Sequence, residues 1–256
     1  MRRTLQAPGE LKSPHRRTDQ EHLLRPVEWV ARRLLVFGLV MRRVLVPLLS
    51  ALLLAACGSP SSGWAEPRPM PSPIGALRPG FVDPSSPPTP EGTITPAPGS
   101  WDDVHPPRDY RVVLLTKGTD APTTALVTAV RSWALAEHTD LRVVVVGPDP
   151  IPDITRALDM HADLIVSAGN DLIDPLAVIT ASHLSQQFLV VGAELAEPTH
   201  NVTAVDWPGA SFRGEGLGAS STYDETSFTS ARCDAAIRAG TAAVLTGLTG
   251  IVVWLR

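Results

Sequence analysis

From Tyr110 onward the apolar residues fall into short runs separated by polar stretches with helical spacing. Tyr110-Arg111-Val112-Val113-Leu114-Leu115-Thr116 is aliphatic and β-branched, which predicts a strand. Ala121 to His138 then places Leu126, Val130, Trp133 and Leu135 along a helical pattern. Leu141 to Val146 predicts a second strand, Ile154 to Met160 a short helix, and Asp163 to Ser167 a third strand. A helix near Pro175 to Leu184 and strands at Phe188–Val191 and Val202–Val205 continue the alternation. Near-continuous Val, Leu and Ile marks strands buried on both faces, so the pattern predicts an α/β fold with a doubly wound, mostly parallel sheet.

Trp207 to Gly218 predicts a Gly-rich turn or irregular helix. Ala231 to Leu245 predicts a helix with small Ala residues on its packing face, and Ile251 to Leu255 a final strand. The apolar stretch from Thr241 also admits a membrane span. It is broken by Gly247 and Gly250 and falls short of the roughly 20 residues that a span needs.

Upstream the pattern changes. Met41 to Cys57 reads MRRVLVPLLSALLLAAC: Arg42 and Arg43, a short apolar run, then small residues before a cysteine. These are the parts of a signal peptide. Leu54-Ala55-Ala56-Cys57 resembles the lipobox of bacterial lipoproteins. The resemblance implies cleavage behind Ala56, diacylation of the Cys57 sulfur and a lipid-anchored place on the extracytoplasmic face of the cell membrane. An uncleaved anchor beginning near Val27 would instead carry Arg32, Arg33, Arg42 and Arg43 in or beside its apolar segment, which is costly. Residues 1–40, Arg-rich and polar in runs such as His15-Arg16-Arg17, are expected to be a non-native or disordered extension, with Met41 the true start. Residues 41–56 are expected to be the lipoprotein signal peptide.

Residues 57–108 hold more than half of the 25 prolines, mixed with Gly, Ser and Thr and without apolar periodicity. That composition predicts an extended, disordered tether with polyproline II character. Trp64, Phe81 and Trp101 stand alone in it and are expected to make incidental or weak docking contacts. The folded α/β domain is expected to occupy residues 109–256.

A net charge of −4 offers no basic face for a phosphate backbone, so nucleic acid is not expected as a partner. The two cysteines, Cys57 and Cys233, sit in unrelated settings, and no disulfide framework is expected. Cys233 reads as a small helix residue. His161, His183 and His200 are scattered without metal-ligand spacing, and no metal or other cofactor is expected. Ser167 and Ser211 lack a Gly-x-Ser-x-Gly elbow, and no acid/base constellation is visible, so the chain does not read as an enzyme. The glycines of Arg213 to Gly218 neither follow the first strand nor precede a Lys-Ser/Thr pair, so packing and turn geometry explain them better than phosphate binding. Arg213 and Glu215 are placed to pair or to orient a loop beside Trp207. Asn201-Val202-Thr203 matches a glycosylation acceptor by chance, inside a strand.

The segments Ala162–Asn170, Phe188–Ala193 and Asn201–Val205 together resemble the basic membrane protein lipoproteins, substrate-binding components of importers with the type I periplasmic-binding fold. The resemblance covers Tyr110 to Gly218. It implies a Rossmann-like lobe, a small polar ligand, commonly a nucleoside, and an importer permease as partner. Members of that family close two lobes on their ligand, whereas about 150 residues here suffice for a single lobe. A second lobe would have to come from elsewhere.

In open parallel sheets ligands bind beyond the carboxyl ends of the strands. The rule selects Thr116, Lys117 and Asp120 after the first strand, Asn170 and Asp171 after the third, Glu194 after the fourth, and Asp206 and Trp207 after the fifth. Trp207 would supply a stacking face, while Asp206 or Asn170 would read polar edges. Two functions fit: a membrane-tethered solute-binding or sensing domain, and an envelope protein-interaction module with no small-molecule ligand.

Overall fold

The computed structural model describes residues 64, 66–210 and 212–256. Residues 1–63, which include Cys57 and the segment expected to be a signal peptide, and also Ala65 and Ser211, lie outside the described residues.

The elements in chain order are β1 (Thr93–Ile94), β2 (Arg111–Thr116), α1 (Ala121–Ala136), β3 (Asp140–Val145), α2 (Pro150–Leu158) and β4 (Leu164–Ala168). There follow α3 (Ile173–Thr180), β5 (Phe188–Val191), β6 (Val202–Asp206), a 3-10 turn at Glu225–Ser227, α4 (Ser230–Leu245) and β7 (Val252–Trp254). The strands form one sheet in the order β1-β7-β6-β5-β4-β2-β3, and every neighbouring pair is parallel. This is the α/β, doubly wound architecture that the alternation predicts.

Period-two alternation sorts each strand between two cores. Val112, Leu114, Leu164, Val166, Leu189 and Val205 face α1 and α4. Val113, Leu115, Ile165, Val190 and Ala204 face α2 and α3. Full burial of each such side chain stabilises by roughly 1.5–3 kcal/mol, so the two cores dominate the stability of the domain. Asp120 caps α1 by accepting from the Thr123 amide at 2.9 Å, with Pro122 in the first turn. In α4 the small face is real: Ala236, Ala239, Gly240 and Ala243 are buried, and a Cβ at Gly240 would lie 2.5 Å from Leu189 Cδ1 and 2.6 Å from Val205 Cγ2. Leu135, expected on the helix's apolar stripe, is exposed instead, because it follows Trp133 by two residues and so points to the opposite side.

The tether expected over residues 57–108 is corrected wherever it is described. Thr93 and Ile94 pair with Val252 and Val253 as an edge strand. Phe81 and Trp101 meet edge to face, 6.4 Å between centroids, and join Tyr110 and Val253 in the core beside α1 and α4. Trp64 is buried against the other core. The three aromatics expected as incidental are core residues. Main-chain pairs from Ile74 to His105 and from Ala97 to Gly80 satisfy the segment's polar groups. Prolines are tolerated here because a two-residue edge strand bonds on one side only.

Candidate functional site

Strand order turns at β2: the chain passes outward to β3, then returns to place β4 on the other side of β2. The loops leaving β2 and β4 therefore diverge at their carboxyl ends, which is where open α/β sheets bind ligands. Here that switch point is a crevice of about 70 Å³ lined by Asp120, Pro122, Thr123, Gly169, Asn170 and Asp171, with Tyr223 and Phe228 arriving from the loop before α4.

Two glycines make this arrangement possible. Gly169 has φ +86, and a Cβ there would stand 2.9 Å from Thr123 Oγ1, so only glycine lets β4 turn so close to the start of α1. Gly118 has φ +85, and its missing Cβ would lie 3.1 Å from one carboxylate oxygen of both Asp120 and Asp171. The two carboxylates thus flank one stretch of backbone. Burial pushes the Asp120 carboxyl up, but the Thr123 amide and hydroxyl outweigh it and hold the group below its ordinary value. Burial raises the Tyr223 phenol, and the charges of Asp120, Glu225 and Asp171 raise it further. The Asn170 side-chain oxygen is buried at the crevice and has no partner among the described residues.

Of the positions chosen from sequence, the crevice gathers Asp120, Asn170 and Asp171. Thr116 is the buried last residue of β2 and Lys117 is half-buried beside it, and neither lines the crevice. Glu194 is tied elsewhere. Its carboxylate lies 3.1 Å from Arg213 Nε and accepts from Ser220 Oγ at 3.3 Å, and burial pushes its pKa up despite both. Arg213 therefore meets Glu194 rather than Glu215, whose amide is held by Asp174 at 3.0 Å. Asp206 is fully buried and accepts from the Trp207 amide at 2.9 Å. Trp207, expected as a stacking platform, has no exposed surface: its indole N–H donates to Ser227 Oγ at 3.0 Å and its ring packs on Phe228, 5.0 Å between centroids.

The aromatic wall is instead Tyr223 and Phe228, which sequence reasoning missed, because a loop residue carries no periodic signal. Thr123 was legible in principle, since Asp120-x-x-Thr123 has the spacing of a helix cap. Cys233 is buried and its thiol is pushed up to about 11, largely by burial. Asn201 is fully buried, its amide shared among the carbonyls of Thr180, His183 and Gln186. No group of three or more His, Cys, Asp or Glu side chains among the described residues is placed to hold a metal ion. A wider groove of about 580 Å³ at the β1–β7 edge is walled by Pro96, Ala97, Trp101, Thr229, Ala235 and Leu255. It is mostly apolar and lies away from the switch point.

No protein-family model matches the chain, and no curated protein matches it. A solved structure of an ABC transporter solute-binding protein from Aeropyrum pernix K1 is similar over 38% of this chain and 28% of that one, at 17% identity and a TM-score of 0.32. The overlap spans less than a third of that protein, and the fold rests on the strand order itself.

Proposed function

We propose that this chain is a lipid-anchored, extracytoplasmic binding or sensing domain that takes a small polar solute at the switch-point crevice. The observation that carries the reading is the Asn170 side-chain oxygen, a buried acceptor at the crevice without a partner among the described residues. Such an acceptor costs roughly 1–3 kcal/mol until a donor arrives. A solute hydroxyl or amine supplies one, and Asp120 and Asp171 add two charged acceptors beside it. The fitting solute is therefore rich in donors, as a nucleoside sugar or a small amine is. Leu54-Ala55-Ala56-Cys57 supports the anchor, and a second lobe closing over the crevice is the partner that a single lobe calls for.

The crevice volume favours a second reading. About 70 Å³ is well below the roughly 300–1,000 Å³ of pockets that enclose drug-sized ligands, as expected of an envelope interaction module that holds no small molecule.

Native mass spectra of the chain from residue 57, with Cys57→Ser to keep it lipid-free, separate the two. A discrete adduct with one class of nucleoside, polyol or amine, lost in Asn170→Ala, is the expected result. No adduct across the panel, with unchanged thermal midpoints at millimolar solute, would sink solute capture, since a ligand at about 100 times its Kd adds about 2.7 kcal/mol.

A further inference from the structure

The chain joins the domain at the pole opposite the crevice. Trp64 is buried at the amino end of β3: its indole N–H donates to the Asp140 carboxylate at 2.6 Å, and the Arg142 guanidinium lies 4.0 Å over its ring. The Glu66 carbonyl then accepts from Arg111 at 2.9 Å. The Arg68 guanidinium pairs with Asp163, just ahead of β4, and donates to the Asp109 carbonyl at 3.0 Å. Trp64, Glu66 and Arg68 are thus held across the amino ends of β3, β2 and β4 by Asp140 and Arg142, Arg111 and Asp163.

Cys57 precedes Trp64 by seven residues, a covalent reach of at most about 25 Å. The six residues of β2 separate the two poles by about 20 Å. Laying the crevice against a bilayer would therefore need those seven residues drawn out almost fully, at a large entropic cost. The amino pole needs no such extension.

Both poles expose apolar side chains, Val145, Ile151, Leu217 and Tyr223 at the carboxyl pole and four more at the amino pole, so the length of the tether decides which pole meets the bilayer. Met70 and Ile74 lie on the incoming segment, Leu184 on the loop between α3 and β5, and Leu135, 80% exposed, at the end of α1. Such residues gain free energy at the boundary between headgroups and acyl chains. A covalent lipid anchor within reach keeps that boundary at high effective concentration, which favours the bilayer over any free protein as the occupant.

We propose that the amino pole of the sheet faces the membrane and that the switch-point crevice opens away from it. The inference rests on the lipid anchor at Cys57 proposed above. The test uses the full lipidated chain in vesicles of phosphatidylglycerol and phosphatidylethanolamine that carry a headgroup-attached quencher. A fluorophore is placed singly through Leu184→Cys at the amino pole or Leu217→Cys at the carboxyl pole, both exposed positions. Quenching several-fold stronger at residue 184 than at residue 217 is expected. Equal quenching, or stronger quenching at 217, overturns the orientation while leaving the anchor intact. A probe at 184 that is silent to lipid but cross-links to a second copy overturns the lipid surface as partner. An intact mass without lipid on Cys57 overturns the anchor itself, and the orientation falls with it.

Discussion

Phe228 rests directly on Gly192: a Cβ at Gly192 would lie 2.8 Å from Phe228 Cε1. The bare backbone after β5 is what lets the loop before α4 fold back and bring Phe228 to the crevice. Gly192 also has φ +81, where a side chain is strained. Gly192→Ala is expected to lower stability by about 2 kcal/mol through strain and overpacking together. Urea unfolding measures the loss, and tyrosine fluorescence reports whether Tyr223 is displaced with Phe228.

The proline-rich segment is expected to behave as core. Trp101→Ala should cost about 3–5 kcal/mol, as truncation of a buried tryptophan does. A chain starting at residue 109 should fail to give a cooperative unfolding transition. Circular dichroism during urea titration checks both. A fully stable 109–256 fragment would contradict the packing of Phe81, Trp101 and β1.

Asp120 carries a pH signature. Its carboxyl is held below the ordinary value in the folded state, so its contribution is present at neutral pH and is lost as pH falls through that depressed pKa. Asp120→Ala should cost about 1 kcal/mol at pH 7, the usual worth of a helix cap. The gap from the unsubstituted chain should narrow below pH 4, as seen in urea midpoints at pH 7 and pH 3.

Glu194 runs the other way. Burial raises its pKa above the ordinary carboxylate value, so the folded state holds its proton more tightly and loses stability as pH rises through the raised pKa. Glu194→Gln is expected to be more stable than the unsubstituted chain at pH 7, by less than about 1 kcal/mol, and equal to it at pH 3.5. Thermal midpoints across that range decide the sign.

The sheet was legible because six of its seven strands are rich in aliphatic residues, and burial on both faces keeps that pattern near-continuous in β2, β4, β5 and β6. β1 was not. Two residues flanked by prolines have no periodicity, and they form a strand only because Val252 and Val253 are already in place beside them. The crevice divides the same way. Asp120, Asn170 and Asp171 follow from strand ends and the switch-point rule, which are local. Trp207 was misjudged because its burial depends on Ser227 and Phe228, contacts that nothing adjacent in sequence announces. The expected tether failed for a related reason: composition records how stiff and polar a segment is, but not whether a hydrophobic surface elsewhere is waiting for its few aromatics.

The pairing of β1 with β7 has a kinetic consequence. Among the described residues β7 is the one strand that β1 bonds to, so β1 docks once β7 has settled against β6. A segment synthesised early is therefore among the last to join, and closing the sheet waits on a contact between distant parts of the chain, the kind that slows folding. Phe81 and Trp101, which share a core with Val253 and Leu255, complete their burial with that same closure.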